Sequence, residues 1–181
     1  MNKLRFLLIT GLPGTGKTTL ARELARRYTL ALIAKDTIKE ALLDVLASGT
    51  TGSRELSDAA FAIMLAQAAE LLASGVDLIL EGNFRAAEHS AKVLATLPRR
   101  PPTIVQVLCR LDEPERLARL NARQSDPARH GGHELAAQLG RVPDCDVYLE
   151  LPGERLAFDA RAGEAGLSQL MASLDGRWSA G

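Results

Sequence analysis

Leu4-Arg5-Phe6-Leu7-Leu8-Ile9-Thr10 runs directly into Gly11-Leu12-Pro13-Gly14-Thr15-Gly16-Lys17-Thr18-Thr19, and this passage decides the fold. Its apolar half reads as a buried strand. Beyond the glycines, Leu20, Leu24 and Tyr28 recur like one face of a helix. The pattern G-x-x-x-x-G-K-[ST] between a strand and a helix is the setting a phosphate-binding loop requires. Gly11, Gly14 and Gly16 let the backbone turn so that several N–H groups converge on a polyphosphate. The helix that opens near Lys17 adds its positive dipole end. Lys17 is expected to reach the β- and γ-phosphates, and Thr18 to offer its hydroxyl to Mg²⁺. The whole run Gly11, Leu12, Pro13, Gly14, Thr15, Gly16, Lys17, Thr18 and Thr19 is therefore expected to line a nucleoside triphosphate site.

The rest of the composition sets bounds on that reading. The 181 residues fit one compact domain. With 22 basic and 22 acidic residues the formal net charge is zero, so no global field draws the chain to nucleic acid or to an anionic membrane. Cys109 and Cys145 lie in or beside apolar runs and read as buried, reduced thiols, which fits a cytoplasmic protein. The stretch before Gly11 is too short for a signal peptide, and no run approaches 18 apolar residues. A soluble, cytoplasmic protein without a membrane partner is expected.

Along the chain, strand-like and helical runs alternate. A helix is expected near 17–28, a strand over 30–34, a helix starting at 36–43 and a polar turn over 49–55. A long helix over 56–74 ends at Gly75. Strands are expected over 76–80 and 103–109, with a helix near 86–96 between them. Asp112-Glu113-Pro114-Glu115 reads as a helix start, and that helix runs to about Gln124. The weaker run 146–150 is taken as a fifth strand and 164–175 as a closing helix, with 177–181 loose. Alternation of this kind implies an α/β fold, a parallel sheet between helical layers.

Ligands of such a sheet bind beyond the carboxyl ends of its strands. Asp36, after the second strand, would face the γ-phosphate and could accept a hydroxyl proton as general base. It could equally cap the helix that follows, and the two roles are compatible. Lys39, one turn on, could hold a polar or anionic substrate, or stand as a solvated lysine. Glu81 closes the third strand, where an acid is placed to hold the metal shell. Asp77 is at the wrong end of that strand. Asn83 and Arg85 would then face the acceptor substrate, with a surface ion pair as the alternative for Arg85.

Arg116, Arg119 and Arg123 share a helical face ahead of a polar loop that includes Arg129, His130 and His133. Arginines on such a helix-loop can close over ATP and neutralise the transferring phosphoryl group. Glu113 and Glu115 could instead simply pair with them. No Cys or acid completes a metal set with His130 and His133.

With these pieces in place, the sequence resembles the small P-loop kinases, in particular the group of polynucleotide kinase domains, chloramphenicol phosphotransferase and zeta toxins. The resemblance rests on Gly11–Thr18, Lys35-Asp36-Thr37-Ile38-Lys39, Leu80-Glu81-Gly82-Asn83-Phe84-Arg85 and the Arg-rich segment 116–133. It implies a three-layer α/β/α fold with strand order 2-3-1-4-5, Asp36 as general base, and a lid at about 116–133. Within the lid it favours Arg123 and Arg129, and it places the adenine near Arg141-Val142-Pro143-Asp144. The acid at 81 is Glu where many relatives have Asp, and Lys39 stands where Arg is common. The leading expectation is an ATP- and Mg²⁺-dependent kinase of a hydroxyl-bearing small molecule, with Thr18 and Glu81 on the metal and Asp36, Lys17 and Arg123 in catalysis. Gly11–Thr19 with Arg119, Arg123 and Arg129 would bind ATP, and Asp36, Lys39, Asn83 and Arg85 the acceptor. A polynucleotide or nucleotide kinase and a non-catalytic nucleotide switch are the alternatives.

Overall fold

The computed structural model describes residues 3–46, 53–124 and 145–179. In chain order the elements are β1 Arg5–Thr10, α1 Lys17–Tyr28, β2 Ala31–Ala34, α2 Lys35–Leu46, α3 Ser53–Ala73 and β3 Leu78–Glu81. They continue with α4 Ala86–Leu94, β4 Thr103–Arg110, α5 Glu113–Gln124, β5 Glu154–Asp159 and α6 Gly163–Ser179. The five strands form a parallel sheet in the order β2-β3-β1-β4-β5, the expected order.

The strand period of two divides the core between the two faces. Phe6 and Leu8 of β1, with Leu78 and Leu80 of β3, pack on one face against Phe61, Met64, Ala68 and Leu72 of α3. Leu7, Ile9 and Ile79 face the other way, against Leu20 and Leu24 of α1 and Leu170 and Leu174 of α6. Strands buried on both faces carry unbroken apolar runs, which is why β1 and β3 were legible. Most of α3 is long and apolar enough to cross a membrane by length and composition, contrary to the expectation that no run comes close. Its Leu56, Ala60, Phe61, Met64, Leu65, Ala68 and Leu72 recur at helical spacing and form one buried face, 33% of that apolar stretch being buried.

Two expectations fail at the C-terminal end. Residues 146–150 are not the fifth strand; β5 is Glu154–Asp159, paired with β4 from Val105↔Glu154 to Arg110↔Asp159. It is an edge strand in which only Leu156 and Phe158 turn toward the core, so charged residues interrupt its pattern. The apolar residues at 149 and 151 are buried for another reason. The buried Gln106 side chain of β4 accepts from Leu149 N at 2.8 Å and donates to Leu149 O at 3.2 Å, so an amide side chain replaces a strand neighbour. Of the tail expected to be loose, residues 177–179 belong instead to the last helix, and 180–181 lie outside the described residues. α6 runs to Ser179, with Trp178 edge-on to Tyr28 at 4.7 Å and Arg177 donating to Ser173 O at 2.7 Å. The expected turn over 49–55 lies partly outside the described residues, and residues 53–55 already belong to α3.

Candidate functional site

The glycine loop stands at the carboxyl edge of the sheet, between β1 and α1. Gly11 has φ 138°, and a Cβ there would collide with the carbonyl oxygen of Cys109. Only a residue without a side chain lets the end of β1 pass so close to β4. Gly14 has φ 88° and would meet Leu120 Cγ at 3.0 Å and Arg116 O at 3.1 Å, because α5 lies on the loop. Inside the turn, Thr15 Oγ1 donates to Leu12 O at 2.8 Å and Lys17 Nζ to Leu12 O at 2.9 Å. Thr15 and Lys17 are buried, Leu12 and Pro13 half-buried, and Thr19 faces solvent.

Thr18 Oγ1 donates to Glu81 Oε2 at 3.1 Å, joining the loop to the last residue of β3. Glu81 is only 2% exposed. Burial raises its pKa, Lys17 opposes the rise, and Asp36 adds to it. A carboxylate and a hydroxyl side by side form an all-oxygen donor pair, the chemistry a hard cation such as Mg²⁺ selects. Asp77, the rival acid, lies away from the loop and binds Arg5 through two hydrogen bonds of 2.7 Å.

Asp36 is the second residue of α2, so it sits in the first helical turn, where the dipole favours an anion. Its Oδ1 accepts from the buried Lys35 Nζ at 3.2 Å. Lys39 lies one turn on and is half-buried. On the next strand end, Asn83 O accepts from Cys145 Sγ at 3.6 Å. Arg85 caps α4 and donates to Glu88 Oε2 at 2.8 Å, so the ion-pair reading of Arg85 is realised. The buried His89 ring accepts from Arg85 N at 2.9 Å through Nδ1 and stacks on Phe61 at 4.1 Å. Its pKa is lowered, chiefly by burial. Burial also pushes the Cys109 thiol up to about 12, and no disulfide joins it to Cys145.

The arginine cluster divides. Arg116 is 3% exposed and lies on the loop, with Nη1 at 3.4 Å from Pro13 O. Arg119 pairs with Glu115 at 2.7 Å, and its Nη1 lies 3.9 Å from the point where a Gly16 Cβ would stand. Arg123 is placed in α5 by its backbone alone. Arg129, His130, His133 and the proposed adenine segment 141–144 lie outside the described residues. A cavity of about 320 Å³ opens at the ends of β4 and β5, lined by Arg110, Leu111, Asp112, Ala157, Phe158, Asp159 and Arg161. Ala160, inside that stretch, stands next to Gly16.

The sequence reading overlooked Lys35, His89 and the anchoring of Arg116. A charged residue flush against a strand end, and a His one turn after a cap, were the available signals.

The model of the family described as AAA domain matches residues 6–144. The chain belongs to the AAA domain family. Within that family, its resemblance to small P-loop kinases extends over nearly the whole chain. Shikimate kinase of Stenotrophomonas maltophilia (strain R551-3) is 28% identical over 190 aligned residues, covering 98% of this chain and 96% of that protein. A crystal structure from Chloroflexus aurantiacus J-10-fl, provisionally described as a kinase, is 28% identical with a TM-score of 0.80, covering 97% of this chain and 98% of that one. A sugar kinase from Janibacter sp. HTCC2649 shares the fold of this AAA domain protein, with a TM-score of 0.64, 17% identity and 95% of each chain covered.

Proposed function

We propose that this protein is a single-domain, cytoplasmic ATP- and Mg²⁺-dependent phosphotransferase that acts on a hydroxyl of a small molecule, with Asp36 as general base. One observation carries the reading. Asp36, Glu81, Thr18 and Lys17 arrive from three strand ends at one edge of the sheet and are coupled there by a 3.1 Å hydrogen bond and by mutual charge.

The backbone of Gly11–Thr19 and Lys17 hold the phosphates, with the positive end of α1 behind them. Thr18 and Glu81 are the residues that would hold Mg²⁺, which when bound spreads the negative charge of the β- and γ-phosphate oxygens. The cavity beside Gly16 is where we place the nucleoside. Asp36 takes the proton of the acceptor hydroxyl as the acceptor oxygen bonds to the γ-phosphorus. The bond from that phosphorus to the β–γ bridging oxygen breaks, ADP leaves, and Asp36 later returns its proton to water. Arg119, with Nη1 3.9 Å from the Gly16 Cβ position, supplies charge compensation, and the proposed lid, about 116–133, includes Arg123 and also Arg129, which lies outside the described residues. Lys39, Asn83 and Arg85 border the acceptor. The activity of one 28% identical relative, shikimate kinase, supports a polyhydroxylated acceptor.

The test is ADP release from Mg·ATP with separate pools of sugars, hydroxy acids, nucleosides, antibiotics and 5′-hydroxyl oligonucleotides. Stimulation by a small-molecule pool is the expected result. Stimulation by oligonucleotides alone would favour a polynucleotide kinase. A flat response with intact ATP binding would favour a nucleotide switch.

A further inference from the structure

Lys35 has no part in the chemistry set out above, yet it is a charged side chain buried at the site. The residue is 4% exposed, and burying a charge is unfavourable unless it is paired. Its ion partner is Asp36, at 3.2 Å, whose own side chain is 53% exposed. The face of Phe61 lies 5.7 Å from Nζ. The Lys35 stem packs beside Gly82, where a Cβ would meet Lys35 Cβ at 3.2 Å, so it is wedged between α3 and the end of β3. A methionine would fill the same slot without that penalty, and it would leave Asp36, its side chain half exposed, in contact with water rather than buried and unpaired.

The position explains the lysine. Asp36 and Glu81 are like charges at one site, and Lys35 is a cation that acts on both. We infer that Lys35 is a positioning residue for phosphoryl transfer: seated on Phe61, it fixes the Asp36 carboxylate at the mouth of the cleft and offsets its repulsion with Glu81. The inference rests on Asp36 being the base. A base displaced by about 1 Å loses on the order of 100-fold in rate, whereas substrate affinity needs no such precision.

The test is a double-mutant cycle over wild type, Lys35→Met, Asp36→Asn and the double variant. Phosphate release from Mg·[γ-³²P]ATP is followed with water as the acceptor, and ATP affinity is measured with a fluorescent ATP analogue. Lys35→Met should lower the rate by about 100-fold and change affinity by less than about threefold. On the Asp36→Asn background it should change the rate no further, because its effect passes through Asp36. A wild-type rate in Lys35→Met, or losses that multiply in the double variant, would overturn the inference. A wild-type rate in Asp36→Asn would instead remove the base assignment beneath it, and the inference with it. If Lys35→Met does not fold, Lys35→Gln, which keeps a donor without the charge, enters the same cycle.

Discussion

Thr18 and Glu81 are 63 residues apart in sequence and 3.1 Å apart in space, the hydroxyl donating to the carboxylate. The bond ties the start of α1 to the end of β3 and gives Glu81 a partner inside the protein.

That partner does not remove the cost of the buried charge. Burial raises the folded-state pKa of Glu81 above its ordinary value of 4.5. Its contribution to stability is therefore fully present below about 4.5 and is lost as pH rises through the raised value. Glu81→Gln keeps an acceptor for Thr18 and deletes the charge. Without nucleotide or metal, it should melt higher than wild type at neutral pH. Its Mg·ATP turnover should fall by about 100-fold or more, a stability gain at the expense of function. Equal melting temperatures would show that the carboxylate is not destabilising.

Gln106 makes a second prediction. Its side chain pairs with both backbone groups of Leu149, and Arg155 Nη2 also reaches Leu149 O at 3.2 Å. Gln106→Leu leaves the Leu149 N–H without that acceptor. Unfolding free energy should drop by about 2 kcal/mol, read from urea denaturation. A change below about 0.5 kcal/mol would mean that the clamp is not a determinant of stability.

The central architecture was legible from sequence because its determinants are local. The glycine loop is a continuous run, and Asp36 and Glu81 stand at the ends of apolar strands, so topology alone brings them to one edge. What was misread depends on distant partners. The burial of Leu149 comes from a glutamine 43 positions away, and so 146–150 looked like a strand. The true β5 has four of its six residues exposed at the edge, which leaves too little apolar alternation to read. Lys35 is buried by Phe61 of α3, and Arg116 by the way α5 lies across the loop. No sequence window contains either pair.

His89 supplies a pH test. Its pKa is lowered, chiefly by burial, while Glu88 at 3.8 Å opposes that shift and Lys92 adds to it. The unfolded chain then binds the proton more readily than the folded one. The His89 contribution is present above the ordinary value of 6.5 and is lost as pH falls through the lowered folded value. Wild-type melting temperature should decline between pH 7.5 and 5.5 relative to that of His89→Phe, which carries the same Glu81. His89→Phe should be less stable by about 1 kcal/mol at pH 7.5, having lost the acceptor for Arg85 N, but should decline less steeply. Parallel slopes would show that His89 is not the titrating group.

Phosphoryl transfer in the proposed reaction depends on Asp36. The most direct measurement follows the γ-phosphoryl group from Mg·[γ-³²P]ATP to the stimulating acceptor in wild type and Asp36→Asn, with ATP affinity determined for each. Transfer by the variant should drop by about 100- to 10,000-fold, the range set by loss of a general base, with ATP affinity nearly unchanged. Transfer at the wild-type rate by Asp36→Asn would contradict the account.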